Sequence, residues 1–368
     1  GFLFGGVVFL VGVHVYLFRV MMMKRDTLDP LRDVPHGSIT PLREVDLEMY
    51  TIRINTWKRL EQLLVSIDHH ASCPGVAQIQ VVWCDEQGEP PAELEENPKI
   101  VVERHAANTM NERFRILEPT PTMGILSMDD DVLRPCEAID SGFFKWTENP
   151  SRMVGFDARS YEVKEEGHWS YAYMSVTEKA NRYSLTLPRY CFIHRDYLNW
   201  YFTDMPKPIL EKVESIFNCE DIAMSFFVSS LTGGQPPLLA DFWAIKSMLK
   251  LYSPKRISGQ KQHKSLRDDC VDSFADLLNL KDKLQPATYV HRDNYLFECG
   301  AEANKSNQED NGMVGRHTEH VEQVGRWSNM NPQDAMKEVS KLINTMAGNA
   351  YVRGLIEKTE PWQKRWKR

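Results

Sequence analysis

The sequence has no CxxC pair, no internal repeat, no low-complexity tract and no long basic run. Each absence removes a class of function. Seven cysteines, at 73, 84, 136, 191, 219, 270 and 299, without close pairing argue against a zinc site. Their odd number argues against a complete disulfide framework and leaves room for one or two bridges. The 11 histidines do not gather at metal-ligand spacing, the doublet His69–His70 apart. That counts against a metal-dependent phosphoesterase, which needs such clusters. A net charge of −7, with basic residues concentrated only in the final EPWQKRWKR, gives no electrostatic footprint for nucleic acid. What is present is an ordinary globular balance, 42% hydrophobic and 26% charged over 368 residues, enough for one large domain or two small ones.

The chain opens on Gly1 rather than Met, so its true start is expected upstream. Phe2 to Phe18, FLFGGVVFLVGVHVYLF, is 17 residues without a formal charge, at the short edge of a membrane span. The bulky, charged RVMMMKRD follows it instead of a small-residue cleavage site. Residues 1–25 therefore read as a membrane anchor rather than a signal peptide or a buried core helix. Arg19, Lys24 and Arg25, taken alone, would place the C-terminal side in the cytoplasm. Residues 26–48, rich in Pro, Asp and Arg and without periodicity, read as a stem.

From residue 49 the pattern changes. MYTIRIN (49–55), IQVVW (79–83), KIVVER (99–104), GILSM (124–128) and VGF (154–156) read as strands. Leu60, Leu63, Leu64 and Ile67 share one helical face after the first of them. Strands alternating with helices imply a parallel sheet covered on its faces, with ligands at the carboxyl ends of the strands. Beyond residue 302, ANKSNQEDNG reads as a polar linker, and 331–346 as a helix capped by Asn331 with Pro332 in its first turn. Residues 303–368 are thus an appendage.

At one predicted strand end stand three acids, Asp129, Asp130 and Asp131. Like charges in a row repel, so the strand must deliver them to something cationic. A short acid run alone is most often a solvated turn. A buried strand before it fixes its place, and oxygen ligands suit a hard divalent ion such as Mg²⁺ or Mn²⁺. Such an ion could bridge nucleotide phosphates and neutralise a leaving diphosphate, in a sugar-nucleotide transferase as in a phosphatase or nuclease.

The run ANTMNERFRILEPTPTMGILSMDDDV resembles the family 64 glycosyltransferases, the exostosin-like enzymes. So do, in order and spacing, TWKRLEQLL (56–64), VVW (81–83), Asn108 with Arg113, VGF (154–156), NCEDIAMSF (218–226) and LRDDCVDSF (266–274). The resemblance covers residues 49–302, the expected catalytic domain. It implies a GT-A fold: an α/β sandwich with a mixed, mostly parallel central sheet and helices on both faces. It implies retaining transfer from a nucleotide sugar with Mn²⁺, or Mg²⁺ in its place. By resemblance Asp131 binds the metal. Asp129 and Asp130 hold the ribose and nearby groups. Arg59, Asn108 and Arg113 bind the donor, Asp221 faces the reacting side of the sugar, and Arg267 stabilises the departing diphosphate. Glu220 stands where the family leads one to expect Asp. Cys84 and Asp85 replace asparagines that meet the base, with Asp85 able to accept from a base N–H. In SLTLPRYCFIHRDYL (184–198), Pro188, Arg189 and Tyr190 stand where smaller residues are expected, so the sugar or acceptor pocket should differ.

The resemblance also implies a Cys219–Cys270 disulfide. That bond needs an oxidising lumen, which places the domain inside the Golgi or endoplasmic reticulum, against the charge reading of the anchor. Asn304-Lys305-Ser306 is a glycosylation sequon usable only there. No second, N-terminal transferase domain is expected ahead of so close an anchor. The leading expectation is a transferase using a UDP-N-acetylhexosamine on a glycan or glycolipid acceptor. The alternatives are GDP-mannose on a glycosyl inositol phosphoceramide, a catalytically silent relative that binds glycans or partner transferases, and a metal-dependent phosphoesterase.

Overall fold

The computed structural model describes residues 48–94, 96–251 and 262–288, together with Lys341. The anchor, the stem up to residue 47, the sequon and all of the 331–346 helix but Lys341 lie outside the described residues. Among the described residues no helix is long and apolar enough to cross a membrane.

Four strands carry the site's architecture: β1 (Tyr50–Asn55), β2 (Val76–Cys84), β3 (Ile100–His105) and β4 (Gly124–Asp129). They sit in a seven-stranded sheet. From one edge its order is Leu238–Leu239, Val154–Gly155, Tyr190–His194, β4, β1, β2, β3. Strands β3, β2, β1 and β4 run parallel, as do the two short edge strands. Tyr190–His194 lies antiparallel to both its neighbours. This is the mixed, mostly parallel sheet expected.

Strand alternation explains its two faces. Tyr50, Ile52 and Ile54 of β1 and Leu126 and Met128 of β4 point to one side. There they meet Leu63 and Ile67 of the helix Leu60–Ala71, and Ile139, Phe143 and Trp146 of the helix Cys136–Glu148, in one apolar core. Gly124 opens β4 because any Cβ there would come within 2.8 Å of the Phe143 and Trp146 rings. The other side carries Thr51, Arg53, Gln80 and Ser127, all buried. It is roofed by the 3-10 turn Met110–Phe114 and the helix Arg195–Thr203: Tyr201 packs 4.8 Å from the Phe114 ring and donates to Asn111 Oδ1 at 2.9 Å.

A disulfide joins Cys73, just beyond the first helix, to Cys136 at the start of the next core helix. Among the described residues the one His/Cys/Asp/Glu cluster tight enough for a metal is His69 with these two cysteines, and their sulfurs are bonded to each other.

Two buried histidines set the acid limit of the fold. His70 donates from Nδ1 to the Ser66 carbonyl at 2.6 Å, and its Nε2 takes the Tyr190 hydroxyl at 3.0 Å. His194 Nδ1 accepts from the Asp196 N–H at 3.1 Å. Burial above all holds both pKa values down to about 3. A histidine depressed in the fold keeps its full contribution above its unfolded pKa near 6.5 and loses it as pH falls toward the folded value. Stability should therefore drop by about 1 kcal/mol per histidine between pH 6.5 and 5.5, and by nearly 1.4 kcal/mol for each further pH unit toward the folded value. Melting curves from pH 7.5 to 4.5 should show this slope, and His70→Gln should flatten it.

Candidate active site

The three acids lie where the strand ends. Asp129 is the last residue of β4, paired in register with Asn55 at the end of β1. Thr56, the residue just after β1, donates to Asp130 Oδ2 at 2.6 Å. The parallel register thus brings two strand ends together and supplies Asp130 with a hydroxyl. Arg59 Nη2 stands 2.7 Å from Asp130 Oδ1 as an ion pair. Asp130 is fully buried, and burial pushes its carboxyl up to about 7 against the pull of Arg59 and Thr56.

Asp129 is held by Arg113 Nη2 at 2.6 Å, while Arg113 Nη1 donates to Glu220 Oε1 at 2.8 Å. One guanidinium, 3% exposed, therefore bridges the end of β4 to the start of the helix Glu220–Leu231. Burial and the neighbouring Asp221 push the Glu220 carboxyl up.

Asp221 occupies the first turn of that helix, where the backbone dipole favours a negative charge. Its Oδ1 accepts from the Ile222 N–H at 2.7 Å, and its Oδ2 from Arg267 Nη2 at 2.7 Å. Burial would raise its pKa, but Arg267 outweighs burial and holds it low, so Asp221 is a carboxylate at neutral pH. Arg267 also donates to Asn218 Oδ1 at 3.2 Å and to the Tyr171 hydroxyl at 3.1 Å, and its guanidinium lies 4.3 Å from the Tyr171 ring centre. The Cys219–Cys270 disulfide is formed and joins the two segments that carry Asp221 and Arg267. Cys219 sits at φ 74, a left-handed conformation that side chains rarely adopt, with its N–H held by Asn218 Oδ1 at 2.8 Å.

Asp131 differs from the other four acids. Arg59 Nη1 and Lys250 Nζ stand 3.6 and 3.8 Å from its Oδ2, beyond hydrogen-bond length. Its carboxylate makes no hydrogen bond among the described residues. Leu251 donates its N–H to the Asp131 carbonyl at 2.8 Å, which fixes the backbone there. A carboxylate fixed by its backbone, ion-paired through Oδ2 with Arg59 and Lys250 but without a hydrogen bond at its oxygens, offers the ligand type a hard divalent cation takes.

Two expected donor residues stand apart from this group. Asp85 Oδ1 takes Arg104 Nε at 3.0 Å on the exposed rim, beside Glu89. Asn108 precedes the 3-10 turn, half-buried, and makes no hydrogen bond among the described residues. Of the bulky trio at 188–190, Tyr190 faces the core against His70. Arg189 remains partly exposed near Asp129 and Asp131 and is gripped by buried Asp157. Thr56, Lys250, Asn218 and Tyr171 complete the site without having been foreseen. Thr56 opens the TWKRLEQLL motif directly after the first expected strand, the one local signal for it. Asn218 opens the quoted NCEDIAMSF motif, while Lys250 and Tyr171 come from distant segments with no sequence signal.

The glycosyl transferase family 64 domain model matches residues 50–295, which contain every residue of this site. The chain belongs to glycosyltransferase family 64. It is 30% identical over 244 residues to glycosylinositol phosphorylceramide mannosyl transferase 1 of Arabidopsis thaliana, covering 61% of this chain and 71% of that protein. It is 29% identical over 240 residues to glucosamine inositolphosphorylceramide transferase 1 of the same plant, covering 63% of this chain and 30% of that one. To human exostosin-2 it is 29% identical over 255 residues, covering 64% of this chain and 33% of the relative. The family 64 chain thus spans most of the mannosyl transferase and about a third of the other two.

Proposed function

We propose that this family 64 transferase moves a sugar from a nucleotide diphosphate donor to a glycolipid or glycan acceptor, with a divalent cation and with retention of configuration. One observation carries the reading. Five acids converge at the end of β4 and the start of the helix Glu220–Leu231, and four of them are hydrogen-bonded by side chains of the protein itself. Asp131 alone makes no such hydrogen bond among the described residues and has only the longer ion pairs to Arg59 and Lys250, which a divalent ion could replace.

Asp131 would hold Mn²⁺, or Mg²⁺, and such an ion supplies positive charge to the leaving diphosphate. Arg59, anchored on Asp130, presents its guanidinium beside the same oxygens. Arg113 orients Asp129 toward the donor's hydroxyls by fixing one of its oxygens. Asp221, charged and pinned by Ile222 and Arg267, places negative charge where an anomeric carbon gains positive charge. Arg267 joins this carboxylate to the leaving-group side. Both a covalent Asp221 intermediate and a front-face displacement, in which the leaving phosphate takes the acceptor proton, use this arrangement.

The donor we favour is a UDP-N-acetylhexosamine, and the acceptor a glycolipid in a Golgi or endoplasmic reticulum lumen. GDP-mannose is the second reading. It is favoured by the match to a mannosyl transferase over most of that protein's length and by Asp85 being tied to Arg104 rather than left open to a base. Calorimetry of UDP and GDP with Mn²⁺, on the wild-type protein and Asp131→Ala, tests both. Metal-dependent binding of either nucleotide, lost in the variant by at least about a hundredfold, supports the transferase reading and names the nucleotide. Folded protein that binds neither overturns it and favours the silent relative.

A further inference from the structure

Beneath the sheet, on the face away from the apolar core, lies a buried group of charges that the reaction does not use. Arg53 of β1 is 1% exposed. Its Nε donates to the Arg113 carbonyl at 3.3 Å and its Nη2 to the Arg115 carbonyl at 2.5 Å, one on each side of Phe114. Its Nη1 pairs with Gln80 Oε1 at 2.7 Å and Glu103 Oε2 at 2.8 Å. Gln80 of β2 donates onward to the Thr120 hydroxyl at 3.2 Å, and Glu103 of β3 accepts from the N–H groups of Leu117 and Glu118 at 3.3 and 3.0 Å. Three adjacent strands thus grip one segment, residues 112–120, from below. That segment carries Arg113.

His105 closes the group. Its Nδ1 faces Glu112 Oε2 at 2.7 Å and its Nε2 faces Glu103 Oε2 at 3.3 Å. Both acceptors are carboxylates, so only an imidazolium can donate to both. The charged and titratable groups around it are Arg53 from β1, the Cys84 thiol at the end of β2, Glu103 on β3 itself, and Glu112 and Arg115 from the segment above. Cys84, raised to about 11 by burial, stays neutral. Neutralising His105 takes a donor from one carboxylate and leaves it facing a lone pair in a buried site.

We propose that Arg53, Glu103, His105 and Glu112 form a positioning device for Arg113, and that a proton on His105 keeps it closed. When that proton leaves, Glu112 and the segment above β3 loosen, and Arg113 loses its hold on Asp129 and Glu220. The consequence for the donor rests on the proposed function; the grip itself does not. The direction of titration fits. Glu103 and Glu112 outweigh burial and raise the His105 pKa above its ordinary value, so the contribution is present below pH 6.5 and is lost as pH rises through the elevated value.

Hydrogen exchange of peptides from 110–120, between pH 6 and 9 and corrected for the intrinsic base-catalysed rate, tests the grip. The helix His263–Leu277 serves as internal reference. In the wild-type protein the opening of 110–120 should rise roughly tenfold or more across the His105 titration, while the reference helix stays level. Glu112→Gln, which keeps the shape and removes one carboxylate, should move the rise to lower pH. Opening that is flat with pH, that rises equally in the reference helix, or that ignores Glu112→Gln overturns the proposal. Mn²⁺-dependent nucleotide affinity in the same samples should weaken in step. Loosening in a wild-type protein that binds no nucleotide at any pH supports the grip and overturns the donor-site reading instead.

Discussion

Asp221→Asn should lower kcat by about 10²–10³ with little change in the donor's KM. The substitution keeps the shape of the side chain and one of its two acceptor oxygens, which can still take the Ile222 N–H. What it removes is negative charge, and that charge is a property of the free protein, because Arg267 at 2.7 Å holds Asp221 ionised despite its burial. A loss confined to kcat is the signature of an interaction made in the transition state. Arg267→Met should behave differently. It leaves Asp221 buried without its cation, so it should cost about 3–5 kcal/mol of stability as well as activity. The double variant Asp221→Asn with Arg267→Met strands no charge and should regain most of that stability while remaining inactive. Initial rates at saturating donor, paired with thermal melts of the four proteins, separate the two effects. Wild-type turnover in Asp221→Asn would remove Asp221 from the chemistry, whatever its pairing.

Five of the seven strands were legible because they are short, apolar and regularly spaced, and because GILSM leads straight into the acids; Tyr190–His194 and Leu238–Leu239 were not read as strands. Of the partners of those acids, the arginines were named only through the family resemblance, as residues for the donor rather than for the acids, and Thr56 was not named at all. Arg113 meets Asp129 across 16 residues and Glu220 across 107, and no local pattern signals the second contact. The resemblance supplied the Cys219–Cys270 bridge. Cys73 and Cys136, 63 residues apart, remained among the unassigned cysteines because pairing depends on how two helices approach, which spacing does not record. Arg53 shows a different limit. In YTIRIN it alternates with Ile52 and Ile54, which places it on the face of the sheet opposite theirs. The structure covers that face with the 110–120 segment and turns the arginine into a buried anchor. Alternation reports which side a residue takes, and the roof built over that side comes from elsewhere in the chain. Asp85 is the converse case: its position after β2 suggested base recognition, and Arg104 on the neighbouring strand occupies its carboxylate.

The second large effect belongs to Arg113. Its guanidinium serves two acids from two separate nitrogens, a geometry that a lysine ammonium cannot copy. Arg113→Met should strand Asp129 and Glu220 together and destabilise the protein by about 3–5 kcal/mol at pH 8. The cost should shrink at pH 5.5. Burial and Asp221 already raise the Glu220 carboxyl. Without Arg113 it rises further, so the variant relieves its buried charge by taking up a proton that the wild-type protein binds less tightly. The variant in its folded state then holds more protons than its unfolded chain, and its stability must fall as pH rises. Melting the two proteins at pH 5.5 and 8 therefore yields a difference that grows with pH. A constant difference would mean that Arg113 acts by packing alone. Arg113→Lys should recover part of the stability by satisfying one acid, yet leave donor affinity weakened by about tenfold or more, because whichever acid it serves, the other loses its anchor.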